Sequence, residues 1–533
     1  MTLPQPSAVA DPRGRPWWES RPFVAFVILL TMVPLLYPAV PPLVDLPGHM
    51  GRYRVQLDFD ASPWLPLYYG FQWRAIGNLG VDLLIIPLTK LVGLELAVKL
   101  IVMSIPPLTA AGFLWVAREV HHRLPPTMLF ALPFAYNHPF LFGFVNFALS
   151  MALAFVAFGL WLRLGRLDRT ALRAILFVPI SVILFFAHAF GWGTLGLLAF
   201  SAEAVRQHDR GVGWLRSGFR AALHAAVMAL PLLMMLRWRS ETPAGGTRTW
   251  FNWEMKWEWV HSVLRDRWRE FDWASLAVVA LVVAFAVVSR RLTLSRNLVF
   301  SGLVLLACYL LLPWTLMGSA YADMRLAPYM LVIFVLAIRF RAETHMPTAR
   351  VLAMLALAFF LVRLAGNTAS LGIAAGDQER KLEALEKVPM GSRVATLVGR
   401  GCTRGWALPR NSHLGGMVIV RREGFSNDQW KISGSNPLIV DYPAAGFFQS
   451  DPSQMVTENY CGARYWSIED AFRRLPRDAF DFVWVLDPPP FDETVITGMQ
   501  PVWSGSRSIL YRISPVAEGP RQETRQTAAA AAR

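Results

Sequence analysis

Leu79-Gly80-Val81-Asp82-Leu83-Leu84-Ile85-Ile86-Pro87-Leu88-Thr89-Lys90-Leu91-Val92-Gly93 is the stretch on which the fold turns. It is apolar, yet shorter than the roughly 20 residues that cross a bilayer, and it carries Asp82, Pro87 and Lys90. Two readings are open: a membrane crossing, or a helix lying in the interface. The arginines choose between them. If the stretch does not cross, the loops bearing Arg13/Arg15/Arg21, Arg118/Arg123, Arg163/Arg166/Arg169/Arg173, Arg206/Arg210/Arg216/Arg220, Arg290/Arg291/Arg296 and Arg339/Arg341/Arg350 all face one side. If it crosses, every later loop inverts and the positive-inside rule fails. The stretch is therefore read as interfacial, which puts the N-terminus in the cytoplasm.

Working outward, apolar spans are expected at 23–40, 96–117, 126–136 with a broken continuation, 145–162, 174–187, 191–205, 221–237, 274–289, 298–313, 326–339 and 349–365. That is about eleven crossings, the shorter ones completed by their neighbours. Composition agrees. Of 533 residues, 54% are hydrophobic and 17% charged, against about a quarter charged in soluble chains. The net charge of +15 does not point to nucleic acid, because the arginines lie between apolar spans and not on one soluble face. The segment 23–40 has no small-x-small cleavage site and reads as an uncleaved first membrane helix.

The expected organisation is a cytoplasmic segment 1–22, a transmembrane domain 23–365 with a first outer loop 41–95, an extracytoplasmic α/β domain 366–515, and a disordered tail 516–533. Past 376 the composition shifts to charged helix patterns alternating with strands, at 393–398, 437–440, 480–486 and 508–513. Ser467-Ile468-Glu469-Asp470 reads as a capped helix start. Cys308 falls in an apolar span, whereas Cys402 and Cys461 lie in the polar C-terminal part. There a disulfide and two buried thiols are both open. Loop 238–273 holds Trp250, Trp253, Trp257, Trp259 and Trp268. They are read as an interfacial belt, with a sugar-stacking platform as the alternative.

On this topology the outer face collects Asp45, His49, Arg52, Asp58, Asp60, Arg74, His138, His188, Asp323 and Arg325. Ionisable groups near membrane depth are costly and tend to mark function. Asp45 lies in Pro41-Pro42-Leu43-Val44-Asp45-Leu46-Pro47-Gly48-His49-Met50-Gly51-Arg52, a backbone stiffened by three prolines. Its carboxylate suits a general base, or simply a helix N-cap. His49 and Arg52 fall on the same helical face at i+4 and i+7. Arg52, Arg74 and Arg325 are candidates for a phosphate. His138 and His188 sit at the outer tips of adjacent helices. Asp58-Phe59-Asp60 leaves a divalent metal open as a cofactor.

These features resemble the GT-C class of integral-membrane glycosyltransferases, over about residues 20–365. Asp45 occupies the position of that class's catalytic acid just after the first helix, and Asp45-Leu46-Pro47-Gly48-His49 is similar to its acid-then-histidine arrangement. The stretch 79–93 looks like its juxtamembrane helix. The usual acidic pair is absent, since Leu46 follows Asp45. The resemblance implies an inverting transfer from a polyprenyl-phosphate sugar to a glycan, lipid or protein acceptor at the outer face of a bacterial inner membrane. Asp45 would be the catalytic residue, with His49, Arg52, Arg74, His138, His188 and Arg325 binding substrate. Membrane lipids are the other expected partners, and nucleic acid is not one. The alternatives are a transporter or flippase, a lipid-linked oligosaccharide polymerase or ligase, and a non-catalytic relative.

Overall fold

A computed structural model describes residues 15–241, 246–341, 346–403, 405–431, 436–458 and 465–513. Arg13, Cys461 and the tail 516–533 lie outside the described residues. Among the described residues, five helices are long and apolar enough to cross a membrane: Leu94–His121, Val145–Arg166, Thr170–Ala187, Arg269–Val288 and Met346–Lys387. A sixth span is possible if Trp214–Met228 and Leu230–Trp238, bent by 62° at their junction, act together.

Of the other expected crossings, 191–205 lies in the continuous 21-residue helix Ala189–Asp209, and the rest are shorter or broken, for reasons the sequence explains. Segment 23–40 divides into helices Arg21–Leu30 and Val33–Leu36, the second with Pro34 in its first turn. Segment 126–136 forms a 3-10 helix, Met128–Tyr136, containing Pro133 and buried along its whole length. It fills the middle of the bundle and does not face lipid. Segment 326–339 belongs to Ala322–Leu336, 15 residues almost entirely buried. Helix Gly80–Val92 has 13 residues, about 20 Å, too short for a hydrocarbon core about 30 Å thick. It ends at Gly93, whose φ of +77° suits glycine.

Leu94–His121 packs along Val145–Arg166, which packs along Ala189–Asp209. Two buried arginines are paired, as a low-dielectric interior favours. Arg173 meets Glu203 at 3.0 Å, and Arg363 meets Asp272 at 2.7 Å.

Helix Met346–Leu382 runs 37 residues, about 55 Å, far longer than a bilayer core. Its end leads into a seven-stranded sheet. Arg393–Arg400 lies parallel to Phe482–Leu486 on one side and to Met455–Thr457 on the other. Phe482-Val483-Trp484-Val485-Leu486 is buried at every position, the pattern of a parallel strand covered on both faces. Ser508–Ile513 and Met499–Gly505 extend that edge antiparallel. Helices Gly416–Arg422 and Ile468–Arg474 interleave with the strands, and Ser467 caps the second by accepting from the Asp470 amide. Leu438–Val440 leaves this sheet and pairs with Tyr69–Phe71 of the first loop.

That pairing is one of two seams joining the C-terminal part to the first loop. In the other, helix Gly416–Arg422 packs on helix Leu46–Asp58. A Cβ on Gly416 would lie 2.3 Å from the Pro47 carbonyl oxygen, so only glycine permits this approach.

Candidate active site at Asp45

Asp45 stands at the N-cap of helix Leu46–Asp58, yet its side chain accepts no capping hydrogen bond. An N-cap side chain usually bonds the amide of the second or third helical residue. Here the second is Pro47, which has no amide hydrogen. The backbone is held instead by the loop after His138–Phe142: the Asp45 amide donates to the Phe142 carbonyl at 3.0 Å. Gly143, at φ +100°, passes so close that a Cβ there would sit 2.7 Å from the Asp45 nitrogen. The carboxyl group is left for other work. It is 8% exposed.

Its nearest charged neighbour is His413, which the sequence reading did not place in the site. His413 Nε2 lies 3.7 Å from Asp45 Oδ1 and 3.9 Å from Asp451 Oδ1. Both distances are contacts and not hydrogen bonds. On the other side of the ring, His413 Nδ1 donates to the Asp428 carbonyl at 3.0 Å. That bond fixes the ring and leaves Nε2 facing the two carboxylates. Trp430 lies between two imidazoles, 4.4 Å from His413 and 4.8 Å from His49.

The electrostatics follow from burial. Burial pushes the Asp45 carboxyl up to about 7, with His413 and Arg325 pulling it down and Asp451 pushing it further up. For His413, burial opposes the charge, but Asp45, Asp451 and Asp428 outweigh it and raise the imidazole above its usual value. Asp428, with Ser426 donating to it at 2.9 Å, is raised to about 6 by burial. His49 is pushed well below the usual histidine range by burial and by the neighbouring Arg52 and His413, so it is neutral at pH 7.

Arg325 is the buried arginine whose charge acts on Asp45. It is 7% exposed and has no carboxylate within 4 Å among the described residues. Its Nη1 donates to Ser319 Oγ at 3.0 Å and to the Ala320 carbonyl at 2.8 Å. The guanidinium lies over the Phe144 ring at 4.4 Å. The neighbouring Asp323 pairs with Lys256 at 3.4 Å and not with Arg325.

The remaining sequence candidates distribute unevenly. Arg52 is buried and bound to Asp82 at 3.0 Å, so sharing a helix face with Asp45 and His49 does not bring it into their company. Asn146 supports the pair by donating to Asp82 at 2.9 Å. Arg74 donates to Gln72 at 2.9 Å, at the surface. His188 caps helix Ala189–Asp209 through Nδ1, which accepts from the Phe190 amide at 3.2 Å, and it shares Phe147 and Phe190 with Arg325. His138 turns away, against Trp259 at 6.2 Å. Asp58 is bound to Arg54, and among the described residues no group of three His, Cys, Asp or Glu could hold a metal.

The residues missed are His413, Asp428, Trp430 and Asp451. Ser426-Asn427-Asp428-Gln429 reads as a polar turn, yet all four are fully buried. Their hydrogen bonds explain this: Asn427, for example, accepts from the Thr396 amide at 2.7 Å. A polar run gives no periodicity that would announce burial. Cys308 is free and Cys402 is disulfide-bonded; Cys461, with which a bridge is one of the two open readings, lies outside the described residues.

No protein-family model matches the chain, and no curated protein matches it either. Among solved structures, the chain is similar to that described as the crystal structure of ArnT from Cupriavidus metallidurans bound to undecaprenyl phosphate. The two are 12% identical, the alignment covers 93% of this chain and 98% of that one, and the TM-score is 0.47. A likeness of that degree carries no argument about chemistry.

Proposed function

We propose that the chain is a membrane glycosyltransferase of the GT-C type, moving a sugar with inversion from a polyprenyl-phosphate donor to a glycan, lipid or protein acceptor. The observation that carries this reading is the buried Asp45 carboxyl, released from capping and facing His413, with the Arg325 guanidinium close enough to act on it electrostatically. A carboxylate titrating near 7 is matched to taking a proton from a hydroxyl at neutral pH. Asp45 would accept that proton as the hydroxyl oxygen attacks the sugar's anomeric carbon. The bond to the phosphate oxygen breaks as the new one forms. Arg325, which no carboxylate neutralises at contact distance, would stabilise the charge developing on the departing phosphate.

In this reading His413 and Asp451 set the proton affinity of Asp45, and His188 holds the phenylalanine cradle of Arg325. Arg52, His138 and Arg74 stand further out. The shorter and broken helices complete about eleven crossings, with the N-terminus cytoplasmic and the sheet-bearing region 366–515 extracytoplasmic, as an α/β domain over the site. The test uses purified protein with a polyprenyl-phosphate sugar. Wild type should release polyprenyl phosphate and transfer the sugar, and Asp45→Asn should lower the rate by about 100-fold or more. Full activity in that variant would overturn the reading.

A further inference from the structure

A cavity of about 1000 Å³ is lined by residues outside the Asp45 site. Three segments build it. Helix Trp253–His261, capped by Asn252, supplies Glu254, Trp257, Glu258 and His261, which share one face by their three- and four-residue spacing. Helix Arg269–Val288 adds Arg269 and Trp273 and then, deeper along the same face, Leu276, Ala277 and Ala280. The third wall is Gly405 and Trp406, from the C-terminal region.

The rings form a continuous aromatic wall. Trp406 meets Trp273 edge-on at 5.6 Å and lies near-parallel to His261 at 6.1 Å, and Trp257 stands 6.1 Å beyond His261. The wall is fixed before any ligand arrives. Trp406 Nε1 donates to Asp272 at 2.7 Å, and Arg265 holds the Trp406 and Gly405 carbonyls at 2.7 and 2.8 Å. Other atoms are left open. His261 Nε2 meets Glu258 at 3.1 Å, while its Nδ1 is buried without a partner. Arg269 makes ring contacts with Trp273 and Trp406 and no hydrogen bond or ion pair among the described residues. Trp257, in the lining, is 68% exposed.

The charges select the ligand. Arg265 and Arg269 are offset by Glu254 and Glu258, so an anionic headgroup would face two carboxylates as well as two cations. A neutral polyol suits both signs, donating to a carboxylate such as Glu254 and accepting from the Arg269 guanidinium. The apolar face of a pyranose matches an indole wall. We propose that this cavity is a carbohydrate-binding site for a neutral oligosaccharide, separate from the Asp45 cleft. The proposal holds whether or not Asp45 is a base. The two sites are nonetheless tied together. Asp266, next to Arg265, binds Arg410 at 2.5 Å, and Arg410 also donates to the carbonyl of Pro42 on the Asp45 loop.

The test is saturation-transfer NMR on the full chain in phosphatidylcholine nanodiscs, with maltotriose, chitotriose and mannotriose as probes. At least one trisaccharide should receive saturation at its ring CH protons. The signal should fall at least fivefold in Trp257→Ala, persist in Trp257→Phe, and remain unchanged in Asp45→Asn. No signal from any of the three, or a full signal in Trp257→Ala, overturns the proposal. Loss of signal in Asp45→Asn would place the sugar in the Asp45 cleft and also overturns it. So does displacement of the trisaccharide when the lipid is changed to phosphatidylglycerol, which would mark a lipid-headgroup groove.

Discussion

At the residue scale, the behaviour of Asp45 follows from what surrounds its carboxyl group. As a general base it must be deprotonated, so initial rates should rise with pH and reach half their plateau near pH 7. His413 lowers the proton affinity of Asp45 and Asp451 raises it, so their removal should move this profile in opposite directions. His413→Gln should shift it to higher pH by up to ~1 unit, and Asp451→Asn to lower pH, as read from initial rates between pH 5 and 9. The same burial has a consequence for stability. The folded-state value lies above the unfolded one, so the folded chain binds this proton more tightly. The contribution is fully present below about pH 4 and is lost as pH rises through about 7. Above that, the buried charge works against folding. Asp45→Asn should therefore be more stable than wild type at pH 8, by roughly 4 kcal/mol, and indistinguishable at pH 4. Thermal unfolding in detergent at the two pH values checks both halves.

At the element scale, the site depends on two helices meeting without side chains between them. Gly416 lies against the backbone of Pro47 and Gly48. Neither can yield as a flexible side chain would. Gly416→Ala should cost ~1–3 kcal/mol through overpacking and should lower activity, because His413 lies three residues upstream and moves with this seam. Gly218, in helix Trp214–Ala225, has open space around it. Gly218→Ala should therefore be neutral or stabilising by up to ~1 kcal/mol. The pair, compared by melting temperature and initial rate, separates the steric effect from the general cost of changing a glycine.

For the molecule as a whole, the orientation proposed from the arginines is open to a direct check. Glu493 is exposed in the C-terminal region, and Arg290 is exposed at the far end of helix Arg269–Val288. In intact cells, a membrane-impermeant maleimide should label Glu493→Cys and should reach Arg290→Cys only after permeabilisation. The reverse pattern would invert the topology and place Asp45 on the cytoplasmic face.

Hydrophobic runs and their punctuation made much of the architecture legible. Five helices long and apolar enough to span a membrane were readable because such a helix satisfies its own backbone and needs only about 20 apolar residues in a row. The strand Phe482–Leu486 and the Ser467 cap were readable for the same local reason. Segments whose state depends on neighbours were not. Met128–Tyr136 is as apolar as a span, and its proline and the surrounding helices turn it into bundle filling. The candidate site divides the same way. Asp45 could be singled out because an acid at the end of an apolar segment is costly and visible. Its partner could not. His413 lies 368 residues away along the chain and reaches Asp45 only because Gly416 packs on Pro47. Sequence determined which segments prefer the membrane and which acid was worth following. Tertiary packing decided what that acid faces, because proton affinity in a buried cleft is set by charges brought together across the fold.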